Sequence, residues 1–286
     1  MTRPSTLDGG AAAGLAVANF ATEADQAGSE LVPSTQRVFF VHVMKTGGSN
    51  LVWHFKEGLA PEEVFPNAQD YRFVDGKLDA PHHLSLSYLL GIPEERRRVI
   101  RLYTSHYPYL GYELLGEDLT TLAVLRDPVE RTLSLLRALG RPGIWADRTK
   151  MYPMASWPLE KLYEHPDHFE SLIHNHQTKM FSMTAADRPA TFRDVIDIDE
   201  ARLALAKRNL EHVDVLGVNE RYADLLEEVE RRLGWKVPAG SRVNQGRTDD
   251  DRVASASFRR RIAEDNAIDM AFHQHAIELV TARRSR

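Results

Sequence analysis

From residue 37 onward, short runs of β-branched and aromatic residues alternate with stretches of helical periodicity, and this alternation limits the chain to a few folds. Four runs are predicted to be strands, at residues 38–43, 99–104, 121–125 and 213–218. The first of them, VFFVHV, is apolar on both faces, which is typical of a strand buried in a parallel sheet. The sequence therefore predicts an α/β fold in which helices flank a mostly parallel sheet.

Helical periodicity follows these runs and continues through the second half of the chain. The predicted helices are 49–58, 128–139, 169–183, 200–212, a helix that ends near 233, and 258–281. Residues 1–36, rich in Ala, Gly, Ser and Thr, are predicted to be a mobile tail, although 11–21 also resembles the apolar centre of a secretory signal. Residues 37–286 are predicted to form a single domain, with a long excursion or lid at about 140–168.

Charge and cysteine content exclude several classes of function. The 36 Lys and Arg residues against 41 Asp and Glu residues give a formal net charge of −5, so no nucleic-acid partner is expected. The chain has no Cys, which excludes disulfides, thiol nucleophiles and zinc sites built on thiolates. Its longest apolar run, 11–21, is shorter than the roughly 20 residues that span a bilayer, so no membrane partner is expected. Any anionic ligand must therefore be bound by a local site.

The segment after the first predicted strand is suited to such an anion, because ligands of open parallel sheets bind beyond the carboxyl ends of the strands. It consists of Lys45, Thr46, Gly47, Gly48, Ser49 and Asn50. A helix N-terminus, a lysine and two glycines without side chains are together able to surround an oxyanion. A plain tight turn, with Ser49 as the helix N-cap and a solvated lysine, explains the same residues equally well. The segment is not a Walker A loop, because its lysine precedes the glycines.

The exit of the third predicted strand, LRDPVERTLS (125–134), contains a second candidate set. The start of a helix explains three of its residues: Asp127 as N-cap, Pro128 at the first helical position and Glu130 as the capping-box partner. Arg126 and Ser134 are not needed for that start. A guanidinium at a strand end and a hydroxyl two helical turns later suit a second phosphate group, with a surface arginine and a solvated serine as the alternative.

Together, the two segments resemble a known family. HVMKTGGSN (42–50) resembles the 5′-phosphosulfate loop, and LRDPVERTLS the 3′-phosphate motif, of sulfotransferases that use 3′-phosphoadenosine 5′-phosphosulfate (PAPS). The chain is most similar to the carbohydrate branch typified by heparan sulfate 2-O- and 6-O-sulfotransferases and their bacterial relatives. Weaker similarities occur at 175–178, 206–209, 216–221, 243–247 and 265–269. The resemblance implies a P-loop-like three-layer fold with a central, mostly parallel sheet flanked by helices.

The resemblance also implies roles for individual residues. The segment from Lys45 to Asn50 would bind the 5′-phosphosulfate, with Lys45 neutralising the leaving phosphate and the Thr46 and Ser49 hydroxyls assisting the backbone N–H groups. Arg126 and Ser134 would bind the 3′-phosphate, and Arg247 would belong to a late loop that closes over it. The product would be 3′-phosphoadenosine 5′-phosphate (PAP), and no metal would be required.

The acceptor hydroxyl needs a general base, and the resemblance places a catalytic histidine near His106, which follows the second predicted strand. The alternative is that His106 is a packed strand-end residue and that the base is one of four others: His54, Glu57, His82 or His83. His42, inside the first predicted strand, is expected to be a buried core histidine.

The sequence thus favours a PAPS-dependent sulfotransferase that acts on a hydroxyl of a glycan or a small natural product. A cytoplasmic, bacterial enzyme is expected, because the activated donor is made in the cytosol. Two other functions stay open: a nucleotide-dependent kinase of related architecture and a non-catalytic protein that binds PAP. The kinase is less favoured, because no Walker A loop and no obvious magnesium-binding carboxylate follow the strands.

Overall fold

The structure is a computed structural model that describes residues 35–67, 69–70, 73–74, 77–78, 84–139, 157–237 and 252–285. The predicted tail at 1–36 lies almost entirely outside the described residues. So do Arg247 and most of the predicted lid, of which only 157–168 is described.

A five-stranded, all-parallel sheet forms the centre of the molecule. Its strands are β1 (Val38–Val41), β2 (Val64–Phe65), β5 (Leu102–Ser105), β6 (Thr120–Leu125) and β7 (Val215–Val218), in the spatial order β2-β5-β1-β6-β7. A separate antiparallel pair consists of β3 (Phe73–Val74) and β4 (Lys77–Leu78). The prediction of a mostly parallel sheet is confirmed.

Helices connect the strands and form the outer layers. They are α1 (Gly48–Glu57), α2 (Leu86–Leu90), α3 (Glu94–Arg97), α4 (Tyr109–Leu115), α5 (Pro128–Leu139), α6 (Leu159–Tyr163), α7 (Pro166–His168), α8 (His176–Ser182), α9 (Glu200–Glu211), α10 (Tyr222–Leu233), α11 (Ala256–Asp265) and α12 (Ala267–Arg284). Short 3₁₀ turns lie at Pro61–Glu63, Ala185–Asp187 and Asn219–Arg221, and a π-helical turn lies at Phe169–Ile173.

The central strand β1 is buried on both faces, as its continuous apolar run predicted. Val38 and Phe40 contribute to one hydrophobic core, which α1 and α10 cover. Phe39 and Val41 contribute to a second core on the opposite face, which α5, α8 and α12 cover. Helices on both faces of one parallel sheet define a three-layer α/β fold.

Two predicted helices are each broken into two segments, because side chains bind the backbone at the breaks. Residues 169–183 form the π-helical turn and then α8, and Asn175 between them has a left-handed φ of 44°. The Asn175 N–H donates to the Asn266 side-chain oxygen at 2.9 Å. Residues 258–281 are interrupted at Asn266 for the same reason, since its side chain also donates to the Ile262 carbonyl. Periodicity alone does not report such tertiary hydrogen bonds.

The close approach of β7 and α10 requires a glycine and generates a stability prediction. A Cβ added to Gly217 would lie 2.6–2.8 Å from three side-chain atoms of Leu225. We expect Gly217→Ala to lower the free energy of unfolding by about 3 kcal/mol, through overpacking of the core, as measured by urea denaturation. Gly234→Ala is the matched control, because that site has φ 67° and open space, so only backbone strain of roughly 1 kcal/mol is added. A Gly217 variant as stable as the control would contradict the assigned packing.

Candidate anion site at the carboxyl ends of β1 and β6

The site lies at a topological switch point of the sheet. β1 and β6 are neighbours, but the chain continues from β1 towards β2 on one side and from β6 towards β7 on the other. The loops that follow the two strands therefore diverge and leave a crevice at the carboxyl edge, which is where ligands of such sheets bind. The Arg126 Nη1 atom donates to the Lys45 carbonyl at 3.3 Å, so the two predicted anion loops are in direct contact.

Five of the six backbone carbonyls of the loop at residues 42–47 are bound by side chains, and four of these side chains come from distant parts of the chain. Five such bonds occur: His106 Nδ1 with the His42 carbonyl (2.7 Å), Thr46 Oγ1 with Val43 (3.0 Å), Arg126 with Lys45, Asn219 Nδ2 with Thr46 (2.9 Å), and Tyr222 Oη with Gly47 (3.4 Å). Carbonyl oxygens repel an anion, whereas backbone N–H groups attract one. Because these carbonyls are bound by protein donors, they are not available to repel an anion at this edge of the sheet.

The two glycines are required by close contacts. Gly47 is the N-cap of α1 with φ 95°, and a Cβ at this position would lie 2.4 Å from Asn219 Nδ2. Gly48 is the first residue of α1, and a Cβ there would lie 2.6 Å from both the His42 and the Phe40 rings. The N–H groups of the first helical turn lack intrahelical partners and carry the positive end of the helix dipole.

The side chains of this segment differ in what they offer a ligand. Ser49 is exposed and lies inside α1, so the expectation that it is the N-cap is wrong. Thr46 is fully buried, and its hydroxyl proton is used by the Val43 carbonyl. The Thr46 hydroxyl is therefore not a donor to a phosphate in this conformation, and Thr46 contributes through its backbone. Asn50 donates from its amide to the Tyr222 hydroxyl at 3.4 Å.

The second loop is held in place by backbone contacts. The Gln177 side chain pairs with both backbone groups of Arg126: it accepts from the N–H at 3.0 Å and donates to the carbonyl at 2.7 Å. Asp127 caps α5 by accepting from the Glu130 N–H at 2.9 Å, as predicted. The prediction that the Glu130 side chain completes the capping box is wrong, because the Asp127 N–H donates to Glu220 instead, at 2.7 Å.

Ser134 lies half-buried on α5, in the second turn from its start. Within the described residues, its hydroxyl makes no hydrogen bond to Arg126. The structure thus brings Arg126 and Lys45 together and leaves the pairing of Ser134 with Arg126 as a prediction.

His106 is held as a neutral base. Its Nδ1 lies 2.7 Å from the His42 carbonyl, which only accepts, so Nδ1 carries the proton and Nε2 carries the lone pair. Burial lowers the pKa of His106. The hydrogen bond to the His42 carbonyl raises this pKa, and the charge of Lys45 lowers it, so that it lies below its ordinary value. A neutral imidazole with one nitrogen anchored and the other basic is the arrangement that general-base chemistry requires.

His42 lies outside the strand in which it was predicted. β1 ends at Val41, so His42 is the first residue of the loop rather than part of the strand. Its ring is buried as expected, but it stacks on Phe40 at 4.8 Å and lies 4.7 Å from the His106 ring. Burial lowers its pKa well below the ordinary value, as do His106, Lys56 and Lys45. His42 is therefore a neutral imidazole within the site.

The remaining histidine candidates are less well placed or fall outside the described residues. His54 is buried on α1, and its Nδ1 lies 3.2 Å from Glu57. His82 and His83 are outside the described residues. In the part of the chain that the structure describes, no group of three or more His, Asp or Glu side chains is arranged to hold a metal ion. No helix in the same part is long and apolar enough to cross a membrane.

Comparisons with known proteins give no assignment. No protein-family model matches the sequence, and no functionally curated protein is significantly similar to it.

The His106 geometry predicts a measurable titration. In an NMR titration, we expect the pKa of His106 to lie below its ordinary value of 6.5. Lys45→Met removes a nearby positive charge, so it should raise the pKa of His106. Lys207→Met on α9 should leave that pKa unchanged. A pKa at or above the ordinary value, or one that does not respond to Lys45→Met, would contradict the assigned environment.

Proposed function

We propose that the protein is a PAPS-dependent sulfotransferase that transfers the sulfuryl group to a hydroxyl of a glycan or a small natural product. The observation that carries this proposal is the contact between the Arg126 guanidinium and the Lys45 carbonyl. It joins two anion-binding elements at one crevice, and PAPS carries two anionic groups, at the 5′ and 3′ positions of one ribose. The proposal places the reaction in the bacterial cytosol, where the donor is made.

The residues of the crevice fit this substrate. The loop at 42–47 has its carbonyls bound by side chains, and contacts of Gly47 and Gly48 leave no room for a Cβ. Such a loop at a helix N-terminus suits a phosphate that carries a sulfuryl group. The Arg126 guanidinium is a planar, always charged fork that suits a second phosphate. PAPS has such a phosphate at its 3′ position, and a nucleoside diphosphate does not. Ser134 and Arg247 are proposed to assist it.

The chemistry requires little covalent participation by the protein. PAPS supplies the sulfuryl group, and the acceptor oxygen forms a bond to sulfur while the bond to the 5′-phosphate oxygen breaks. Transfer of this kind passes through a loose, in-line transition state, so positioning and charge stabilisation provide most of the rate. Lys45 and the N–H groups of the loop stabilise the leaving phosphate, and His106 Nε2 accepts the acceptor's proton. This scheme routes no step through a metal ion.

Binding of PAP tests the proposed ligand. At about 100 times its Kd, PAP should stabilise the folded chain by roughly 2.7 kcal/mol, seen as a rise in Tm, whereas ADP with magnesium should leave the Tm unchanged. Arg126→Ala should weaken PAP binding at least tenfold. AMP has no 3′-phosphate, so it should lose less affinity, and only through the missing bond from Arg126 to the Lys45 carbonyl.

Arg137→Ala, near the end of α5, is the matched control and should leave both affinities unchanged. Stabilisation by ADP with magnesium but not by PAP would favour the kinase and reject the sulfotransferase.

Transfer of the sulfuryl group tests the proposed reaction. A screen with PAPS carrying labelled sulfate, over glycans and hydroxylated metabolites, should reveal transfer to an acceptor. Lys45→Ala and His106→Ala should each reduce transfer, the latter by about 10²–10⁴-fold, because a general base contributes that much. His106→Ala should weaken PAP binding no more than about tenfold, because it removes one hydrogen bond to the loop but no contact with PAP itself.

His54→Ala is the control histidine, because it lies on α1 and its Nδ1 is paired with Glu57 at 3.2 Å. Loss of transfer in the His54 variant, with full transfer in the His106 variant, would move the base to His54. PAP binding without transfer to any acceptor would favour the non-catalytic PAP-binding protein.

A further inference from the structure

One turn of the chain contacts both anion loops. The residues Asn219–Arg221 form a 3₁₀ turn directly after β7, and Tyr222 begins α10. Asn219 and Tyr222 donate to the carbonyls of Thr46 and Gly47 in the first loop. Glu220 accepts from the N–H of Asp127 in the second loop. Three residues of this four-residue segment therefore connect two loops that belong to different strands.

Asn219 makes the shorter of the two bonds to the first loop. Its Nδ2 atom lies 2.9 Å from the Thr46 carbonyl, and it occupies the space that a side chain at position 47 would need. The bond directs the Thr46 carbonyl towards the Asn219 side chain. Without this donor, a buried carbonyl is left unsatisfied, and peptide rotation to satisfy it would disturb the N–H edge of the loop.

Glu220 holds the other loop and is itself anchored. Its second carboxylate oxygen lies 3.1 Å from His273 Nε2 on α12. Burial opposes ionisation of Glu220, but hydrogen bonds from His273 and from the backbone hold its pKa below the ordinary value. The turn is thus fixed to the C-terminal helix while it binds the start of α5.

We propose that the Asn219–Tyr222 turn is a positioning element that holds the two anion loops at a fixed separation, with Asn219 controlling the 5′-anion loop. This inference rests on the proposed function and extends it, because it assigns recognition of a doubly phosphorylated nucleoside to residues that need not touch the ligand. Asn219 acts on the ligand through the backbone of Thr46 and Gly47. Its removal therefore affects only the ligand group that this loop binds.

Three nucleotides test this claim: PAP, AMP and adenosine 3′-monophosphate, measured by calorimetry on the full chain. Asn219→Ala should weaken PAP and AMP binding roughly tenfold, the value of one well-placed hydrogen bond that organises a site, and leave adenosine 3′-monophosphate binding unchanged. Tyr222→Phe keeps the ring and removes a hydroxyl that donates to the Gly47 carbonyl and accepts from Asn50, both at 3.4 Å. Because both bonds are long and both partners belong to the 5′-anion segment, it should produce the same selectivity with a smaller loss.

Asn209→Ala is a matched control, because the Asn209 amide donates to the Phe181 carbonyl at 2.8 Å in another part of the fold. It removes an equivalent bond and should change no affinity. Equal losses for all three nucleotides in the Asn219 variant, or no loss for any, would overturn the proposal. If the wild-type chain binds none of the three nucleotides, the proposed function fails and the inference fails with it. If the wild-type chain binds them but the Asn219 variant shows no selective loss, only the inference fails.

Discussion

The site depends on where the carbonyl groups of one loop point. A loop between a strand and a helix has equal numbers of donors and acceptors, and it attracts an anion only if its acceptors are satisfied elsewhere. Here the donors come from positions as distant in sequence as His106, Arg126, Asn219 and Tyr222. Lys45 has a φ of 69°, an uncommon conformation for a residue with a side chain. Such a conformation persists because the surrounding contacts fix it.

The second loop depends in turn on a buried polar cluster beneath it. Gln177 pairs with the Arg126 backbone because the start of α8 is fixed. There, the Asp269 carboxylate accepts hydrogen bonds from the N–H groups of Gln177 and Thr178 and from the Thr178 hydroxyl. Buried charges are costly unless they are hydrogen-bonded. The cluster meets that condition in part with backbone groups: Lys179 donates to the carbonyls of Ser171 and Asp194, and Arg131 Nη2 to those of Leu172 and Ile173. Within the described residues, Arg131 Nε and Nη1 have no hydrogen-bond partner. The position of the Arg126 loop thus depends on contacts at the start of α8.

Sequence patterns predicted the parts of this molecule that local chemistry determines. The four predicted strands all exist, and helix α5 has the predicted bounds of 128–139. The edge strand β2 has two residues, too few to show a periodicity, and was missed. His42 was placed inside a strand because β-branched neighbours continue the apolar run beyond the last ladder bond. Asn219 and Gln177 lie in two of the segments of weaker family resemblance, but the sequence assigned them no role, because their partners are backbone atoms that it does not identify.

The electrostatics of the crevice connect the two halves of the proposed reaction. The positive charge of Lys45 lowers the pKa of His106, so without a ligand the imidazole is neutral but is a weaker base than a solvated histidine. On the proposed function, a phosphosulfate bound beside Lys45 brings negative charge that offsets the lysine. The basicity of His106 Nε2 then increases when the donor is present, while Nδ1 keeps its proton and donates it in the hydrogen bond to the His42 carbonyl. On the proposed function, the same lysine that stabilises the leaving phosphate therefore makes proton removal from the acceptor depend on a bound donor.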